Sequence, residues 1–483
     1  MCIVVSLFEL AFNIFRNNLQ LLIYYKNQNA KFNDTPILTH VLCEHFLNHP
    51  PFDLHPDILQ IFFQNGIKTV SLSFYEHNLP LNDIGKICEG IINMDLSFSK
   101  ISEENLQELI KHLPNIITLT LTYTETTDHI MKCIANCCSC LEYLDVSDCK
   151  VTDFGFRLFA KEGKCVHLKK LIIQNLSISS DSIVSLLKKF PLHKLQTEPK
   201  ILERAIYQYL NYNSHQLHLR KLQLIRIQNI RDLILVLSIF SHLESLFIHK
   251  PLLMNHHIPY IPQFSHLKRL SLVSSKTEKS LKFEEVCQFL SVSGKVLKEL
   301  RLDNFEYVNI YLVGIYCNEL QILELVSILH LYFKNTLSTS INSLFKSLKW
   351  FRMENFLNNP WNDCLLNVFK SCTDLQHLFM TSMACLDRLL LLEIAPYLKS
   401  LRTFNVINCE NFNKCAVYTV FDVFPELSCF CLKSKKKILS QQEEAILKIK
   451  LMPRMQFYYH YECWRDTYTS DDMSVDIEEL SFF

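Results

Sequence analysis

The sequence predicts an α/β solenoid, a stack of about sixteen strand–helix units closing into a horseshoe, with a helical cap at its N-terminal end. Three observations predict it. An apolar triplet, with two spacers and then one between its members, recurs with a mean period of about 26 residues along most of the chain. The segments between triplets carry helix start signals and a helical apolar period. Only seven of the 483 residues are glycine while 49% are apolar, which supports an extensive core and argues against disorder as the main state.

The strand element is clearest in "CIANCCSCLEYLDVSDCK", Cys133 to Lys150, where Leu141, Leu144 and Val146 form the triplet. Successive strand side chains face opposite sides, so Leu144 and Val146 point one way and Tyr143 and Asp145 the other. The same phase starts at Ile67/Val70/Leu72 and passes through Ile91/Met94/Leu96, Ile116/Leu119/Leu121, Leu168/Leu171/Ile173 and a weaker Leu192/Leu195/Thr197. It continues with middle residues Leu222, Leu246, Leu270, Leu300, Leu323, Phe351, Leu378, Phe404 and Phe430, and ends at Met452/Met455/Phe457, giving sixteen units.

The return element is a helix. In "ISEENLQELIKHLP", Ser102 is a predicted N-cap, Glu103 and Glu104 sit where the helix dipole is positive, and Leu106, Leu109, Ile110 and Leu113 share one face. Asn105 stands where a full capping box would carry Glu or Gln.

Composition excludes several functions. Lys plus Arg and Asp plus Glu both number 49, so the whole chain has no net charge to hold nucleic acid or an anionic membrane. The nearest approach to a phosphate loop, "GKICEG" from Gly85 to Gly90, is followed by Ile91 and Ile92 where a nucleotide site needs Lys and Ser or Thr. "MCIVVSLFELAFNIF" lacks a basic leader and carries Glu9 at its centre, so it reads as a buried or amphipathic helix rather than a signal segment. Nineteen cysteines are then expected to be reduced thiols, in the cytosol or nucleus.

No cofactor, metal or catalytic residue is expected. Cys133 and Cys137 sit at helical spacing on a return helix, while Cys138 and Cys149 flank the strand as packing residues. His256, His257 and His266 in "NHHIPYIPQFSH" read as loop residues, and "KSKKK", Lys433 to Lys437, as a solvated turn.

These units resemble the leucine-rich-repeat family, in its cysteine-containing subtype, over about residues 67–458. That subtype has Cys three residues before the first strand leucine and a second Cys or Asn shortly after the strand. Cys138, Cys165, Cys317 and Cys372 fill the first slot here, and Cys149 and Cys409 the second. Leu113, Phe240, Phe264, Phe345, Leu398 and Phe424 take the first slot in other units, which marks it as an apolar packing position.

Residues 1–66 precede the first unit. Within them "ILTHVLCEHFLNHPPFDLHPDILQIFFQNG" reads as two short helices broken at Pro50 and Pro51. "LHPDILQIFF" is similar to the opening helix of an F-box, and Cys43 with Leu47 is similar to the second half of an elongin-binding box, with Thr39 at its opening leucine position. The resemblance implies an adaptor-docking surface of Cys43, Leu47, Pro56, Leu59 and Phe62; the alternative is a cap that shields the first rung. At the other end "MQFYYHYECW" reads as a final strand closed by aromatics, and residues 459–483 as an acidic tail.

Specificity is expected on the concave face, from outward side chains between the strand apolars. Tyr143 and Asp145 offer such contacts early in the chain. The units from Leu297 to Met380 are richer in residues that make binding hot spots: Glu299, Arg301, Asp303, Glu324, Trp350, Arg352, Glu354, His377 and Phe379. The resemblance implies a non-enzymatic recognition subunit. It would be the substrate receptor of a cullin-RING ubiquitin ligase, with a protein substrate on the concave face and a Skp- or elongin-type adaptor and cullin at the N-terminal box. A stand-alone interaction scaffold is the alternative.

Overall fold

A computed structural model describes residues 40–48, 55–59, 62–63 and 66–461, apart from short stretches at 213–215, 225–235, 241, 250–264, 275–281, 335–343, 356–361 and 452–453. Accordingly the opening apolar segment, His256, His257, the Pro50-Pro51 break and residues 462–483 of the acidic tail lie outside the described residues, while residues 459–461 belong to the last strand. The chain divides into two compact units, the first holding the strands up to His249 and the second those from Lys268 onward.

In the first unit, helices α1 (His40–Asn48) and α2 (Pro56–Leu59) precede a six-stranded parallel sheet. Its strands β1 (Thr69–Ser71), β2 (Asn93–Asp95), β3 (Thr118–Thr120), β4 (Tyr143–Asp145), β5 (Lys170–Ile172) and β6 (Lys194–Gln196) lie in chain order. Val70, Met94, Leu119, Leu144, Leu171 and Leu195 stand side by side in register and are buried. The weak triplet at Leu195 is therefore a true rung. Helices α3 (Leu81–Cys88), α4 (Glu103–Lys111), α5 (Asp128–Cys137), α6 (Asp153–Glu162) and α7 (Ser180–Lys189) return between the strands. After α8 (Pro199–Tyr212), β7 (Lys221–Leu224) and β8 (Ser245–His249) pair in parallel with Leu222 beside Leu246.

β1 ends its sheet, and an open strand edge exposes unpaired backbone groups. The segment before it answers this locally. Glu44 on α1 accepts a hydrogen bond from the Thr69 backbone N–H at 3.1 Å, and the Phe46 ring stacks on Phe62 with centroids 3.8 Å apart.

The second unit contains β9 (Arg269–Val273), α9 (Phe283–Ser293), β10 (Glu299–Asp303), β11 (Tyr307–Asn309), α10 (Ile310–Tyr316), β12 (Ile322–Val326), β13 (His330–Tyr332) and β14 (Trp350–Glu354). It ends with α11 (Asn362–Ser371), β15 (His377–Thr381), α12 (Arg388–Ile394), β16 (Thr403–Ile407), α13 (Lys414–Val423), β17 (Cys429–Ser434), α14 (Gln441–Leu451) and β18 (Gln456–Tyr461). Strands β9, β10, β12 and β14 to β18 run parallel as successive neighbours, while β11 and β13 make a small side sheet that the triplet pattern did not announce.

Phe430 of β17 pairs with Phe457, not Met455, so the last triplet is corrected by two residues. Met455 is buried, but one residue separates it from Phe457 where two separate Leu427 from Phe430. The apolar pattern alone could not show that shortened spacer.

Neighbouring rungs are tied together by side chains as well as by the sheet. Ser102 caps α4 by accepting from the Asn105 N–H, while the Asn105 amide clamps the preceding rung, accepting from Leu79 N–H at 2.9 Å and donating to its carbonyl at 3.0 Å. Asn is what two opposed backbone groups require; Glu could only accept. The cysteine slots behave as packing positions. Cys138, Cys165, Cys317 and Cys372 are wholly buried, and Cys149 and Cys409 each donate a thiol hydrogen bond to a carbonyl of the preceding rung, Leu121 and Met380.

A second period appears in the backbone. Phe74, Phe98, Tyr123, Asp148, Asn175, Asn304, Ser327, Asn355, Ser382 and Asn408 all adopt positive φ, from 51 to 63°. Each lies four residues after the middle residue of its apolar triplet, where the chain turns out of the sheet. This left-handed region is tolerated best by Asn, Asp and Gly and costs other residues roughly 1 to 2 kcal/mol. Seven of the ten positions hold Asp, Asn or Ser, and the first three hold aromatic rings.

Candidate functional site

The strands display alternate side chains on the face opposite the core, in rows set by register. In the first unit Thr69, Asn93, Thr118 and Tyr143 form one row, and Ser71, Asp95, Thr120 and Asp145 the next. Tyr143 and Asp145 are half-buried there; burial, then the Asp145 and Asp95 carboxylates, push the Tyr143 hydroxyl up to about 12. Ser147, which follows Tyr143 and Asp145 in the same alternation, is buried and its hydroxyl accepts from the Gln174 N–H.

In the second unit the register sets Glu299, Ile322, Trp350 and His377 in one row, Arg301, Glu324, Arg352 and Phe379 in the next, and Asp303, Val326, Glu354 and Thr381 in a third. The sequence-selected residues of this region are thus brought onto one patch. Trp350 stacks on Phe379, centroids 4.3 Å apart and planes 19° apart, and lies 5.6 Å from the His377 ring.

Beside this platform Arg301 donates to Asp303 at 3.0 Å and reaches Glu324 at 3.5 Å, and Arg352 donates to Glu354. Arg269 pairs with Glu299 at 3.3 Å. The guanidinium groups are therefore held in place before any partner arrives, which lowers the entropy lost on binding.

Two of these residues do not present themselves to solvent. Glu324 is 3% exposed and Asp303 9%, beneath the arginines they hold, so they act as positioning groups rather than as contact residues. Burial raises the Glu324 carboxyl above its ordinary value, against the lowering pull of Arg301 and Arg352, and Glu299 shifts the same way by burial. A carboxyl whose folded pKa is raised favours folding most below its unfolded value and loses that contribution as pH rises through the folded value. Glu324→Gln is accordingly expected to flatten the decline in melting temperature as pH rises above the ordinary glutamate range, read by thermal denaturation at a series of pH values. A profile unchanged by the substitution would mean that Glu324 is solvated. Burial, with Arg402, lowers His377 below the usual imidazole value, which keeps it neutral at pH 7.

The proposed adaptor residues are placed differently from the expectation. Cys43, Leu47, Leu59 and Phe62 have no exposed surface, and Pro56 is half-buried. Helix α1, which carries Cys43 and Leu47, packs against β1, and Phe62 stacks on Phe46 of that helix.

No group of three or more His, Cys, Asp or Glu placed to bind a metal occurs among the described residues. Cys138 and Cys165 are buried with thiols pushed up, Cys165 to about 12 by burial, while Cys140 and Cys415 are exposed. N-ethylmaleimide is expected to modify Cys140 and Cys415 first, with Cys138, Cys165, Cys317 and Cys372 protected until denaturant is added, as read by peptide mass spectrometry. Early labelling of Cys138 would contradict its packing role.

Sequence reasoning missed one surface. Phe74, Phe98 and Tyr123 are 58%, 44% and 63% exposed, and their rings form a ladder, Phe74 to Phe98 at 4.9 Å and Phe98 to Tyr123 at 5.5 Å. The signal was present as an aromatic residue at a fixed offset where later units carry Asp or Asn.

Strand register, inward leucines, helical returns and cysteine slots together decide the fold. It is an α/β leucine-rich-repeat solenoid. No protein-family description and no curated protein matches the chain. Among solved structures it is similar to a chain of the yeast Rad7 and Elc1 complex, with TM-score 0.43 and 12% identity over 94% of this chain and 98% of that one. It is also similar to an internalin of Listeria monocytogenes, with TM-score 0.33 and 11% identity over 93% and 95% of the two chains. A third similarity is to TLR13 in its complex with ssRNA13, with TM-score 0.37 and 15% identity over 84% and 66%. At such scores these likenesses carry no functional argument for the leucine-rich-repeat chain.

Proposed function

We propose that this chain is a non-catalytic protein-recognition subunit that holds its partner on the open face of the second unit. The observation that carries this is the Trp350–Phe379 platform set beside internally paired arginines, a mixture of aromatic area and positioned guanidinium groups typical of binding hot spots.

The finer reading is that the chain serves as substrate receptor of a cullin-RING ubiquitin ligase. It is supported by the resemblance of residues 36–66 to adaptor boxes. A stand-alone scaffold is favoured by a specific observation, the complete burial of Cys43, Leu47, Leu59 and Phe62. Affinity purification of the full chain from cells separates them. Recovery of an elongin- or Skp-type adaptor with a cullin, retained by Trp350→Ala while other partners are lost, supports the receptor. Partners recovered without adaptor or cullin leave the scaffold. Recovery of no protein that depends on Trp350 would remove both.

A further inference from the structure

The aromatic ladder of the first unit is a second surface, independent of the face just described. Phe74, Phe98 and Tyr123 occupy a left-handed backbone position that the next two rungs fill with Asp148 and Asn175. A bulky ring is disfavoured there, yet three successive rungs carry one, and all three rings project into solvent. Backbone strain retained by exposed side chains is the pattern of a ligand-contacting strip. The rings stack on one another in chain order, Phe74 on Phe98 and Phe98 on Tyr123.

The charges around the ladder select the partner. The outward positions of β1 to β4 are Thr69, Ser71, Asn93, Asp95, Thr118, Thr120, Tyr143 and Asp145, two carboxylates and no cation. The flanking lysines are already paired, Lys100 with Glu76 at 2.6 Å and Lys150 with Glu125 at 2.5 Å. Asp148 continues the aromatic row, is exposed, and takes a hydrogen bond at 2.9 Å from the neutral Asn175 amide. Such a surface repels phosphate, which disfavours nucleic acid despite the rings. It favours a cation beside an aromatic face and a carboxylate.

We propose that Phe74, Phe98, Tyr123 and Asp148 form a docking strip for an extended segment of a protein partner, one that sets aliphatic or aromatic side chains on the rings and a lysine or arginine against Asp148.

The test uses the full chain and the triple variant Phe74→Asn, Phe98→Asn, Tyr123→Asn. Asn suits the left-handed position, so the variant is expected to melt at or above the wild-type temperature. A lower melting temperature would show that the rings are structural and overturn the proposal. Random dodecapeptides displayed on phage are then selected on the wild-type chain. Enriched peptides should carry Lys or Arg next to Leu, Phe or Trp, bind the triple variant at least about tenfold more weakly, and lose affinity when Asp148→Lys is introduced. No enrichment, enrichment of acidic peptides, equal binding to the triple variant, or ring-dependent binding of a single-stranded RNA oligomer would each overturn it.

Discussion

Phe430→Ala is expected to destabilise the second unit by about 3 to 5 kcal/mol, a fall in melting temperature of roughly 10 °C or more. Phe430 has no exposed surface and is the middle residue of its apolar triplet, paired with Phe404 and Phe457 on the neighbouring strands. Its ring stacks on Phe404 at 5.8 Å and on Phe457 at 5.5 Å, and meets the edge of Phe421 at 5.7 Å. Truncation removes contacts to both neighbouring rungs at once and leaves a cavity that parallel strands, fixed by their ladders, cannot close. Tyr458→Ala one residue along β18, on the opposite face and 54% exposed, is the control and should stay within about 0.5 kcal/mol. Thermal denaturation of the two variants measures both. A near-neutral Phe430→Ala would break the register on which every outward row depends.

Trp350→Ala is expected to weaken the chain's protein partner by about 2 kcal/mol or more, roughly thirtyfold in Kd. The indole stacks on Phe379, so its loss removes one anchor and loosens the other. Ile449→Ala on α14, 77% exposed, changes apolar surface on a helix instead and should leave Kd unchanged. Titration of the copurified partner against the two variants by calorimetry gives the comparison.

The repeat was legible because burial imposes it. Each rung must bury a leucine-like residue at fixed offsets, so Val70 through Phe430 kept one phase that could be read directly. The phase failed at Met455, where the lost spacer residue leaves no trace in apolarity. The site was legible only as a set of outward positions. Alternation placed Trp350, Arg352 and Phe379 on one face, but not the depth of Glu324, which depends on how Arg301 and Arg352 fold over it. The depth of the N-terminal segment was illegible for a related reason: Cys43, Leu47, Leu59 and Phe62 have the spacing of an amphipathic helix, which does not say that all four side chains are buried. The aromatic ladder escaped because Phe74, Phe98 and Tyr123 read as ordinary apolar residues until the backbone shows their positive φ.

Site-specific photo-crosslinking tests protein recognition on the second unit most directly. A photoreactive phenylalanine analogue is placed at Phe379 on the open face, or at Ile446, 62% exposed on α14, and the full chain is irradiated in cells. The expected result is a discrete crosslinked protein from position 379 that is absent from position 446 and disappears with Trp350→Ala. Crosslinks from position 446 alone, or from position 379 without dependence on Trp350, would contradict recognition on that face.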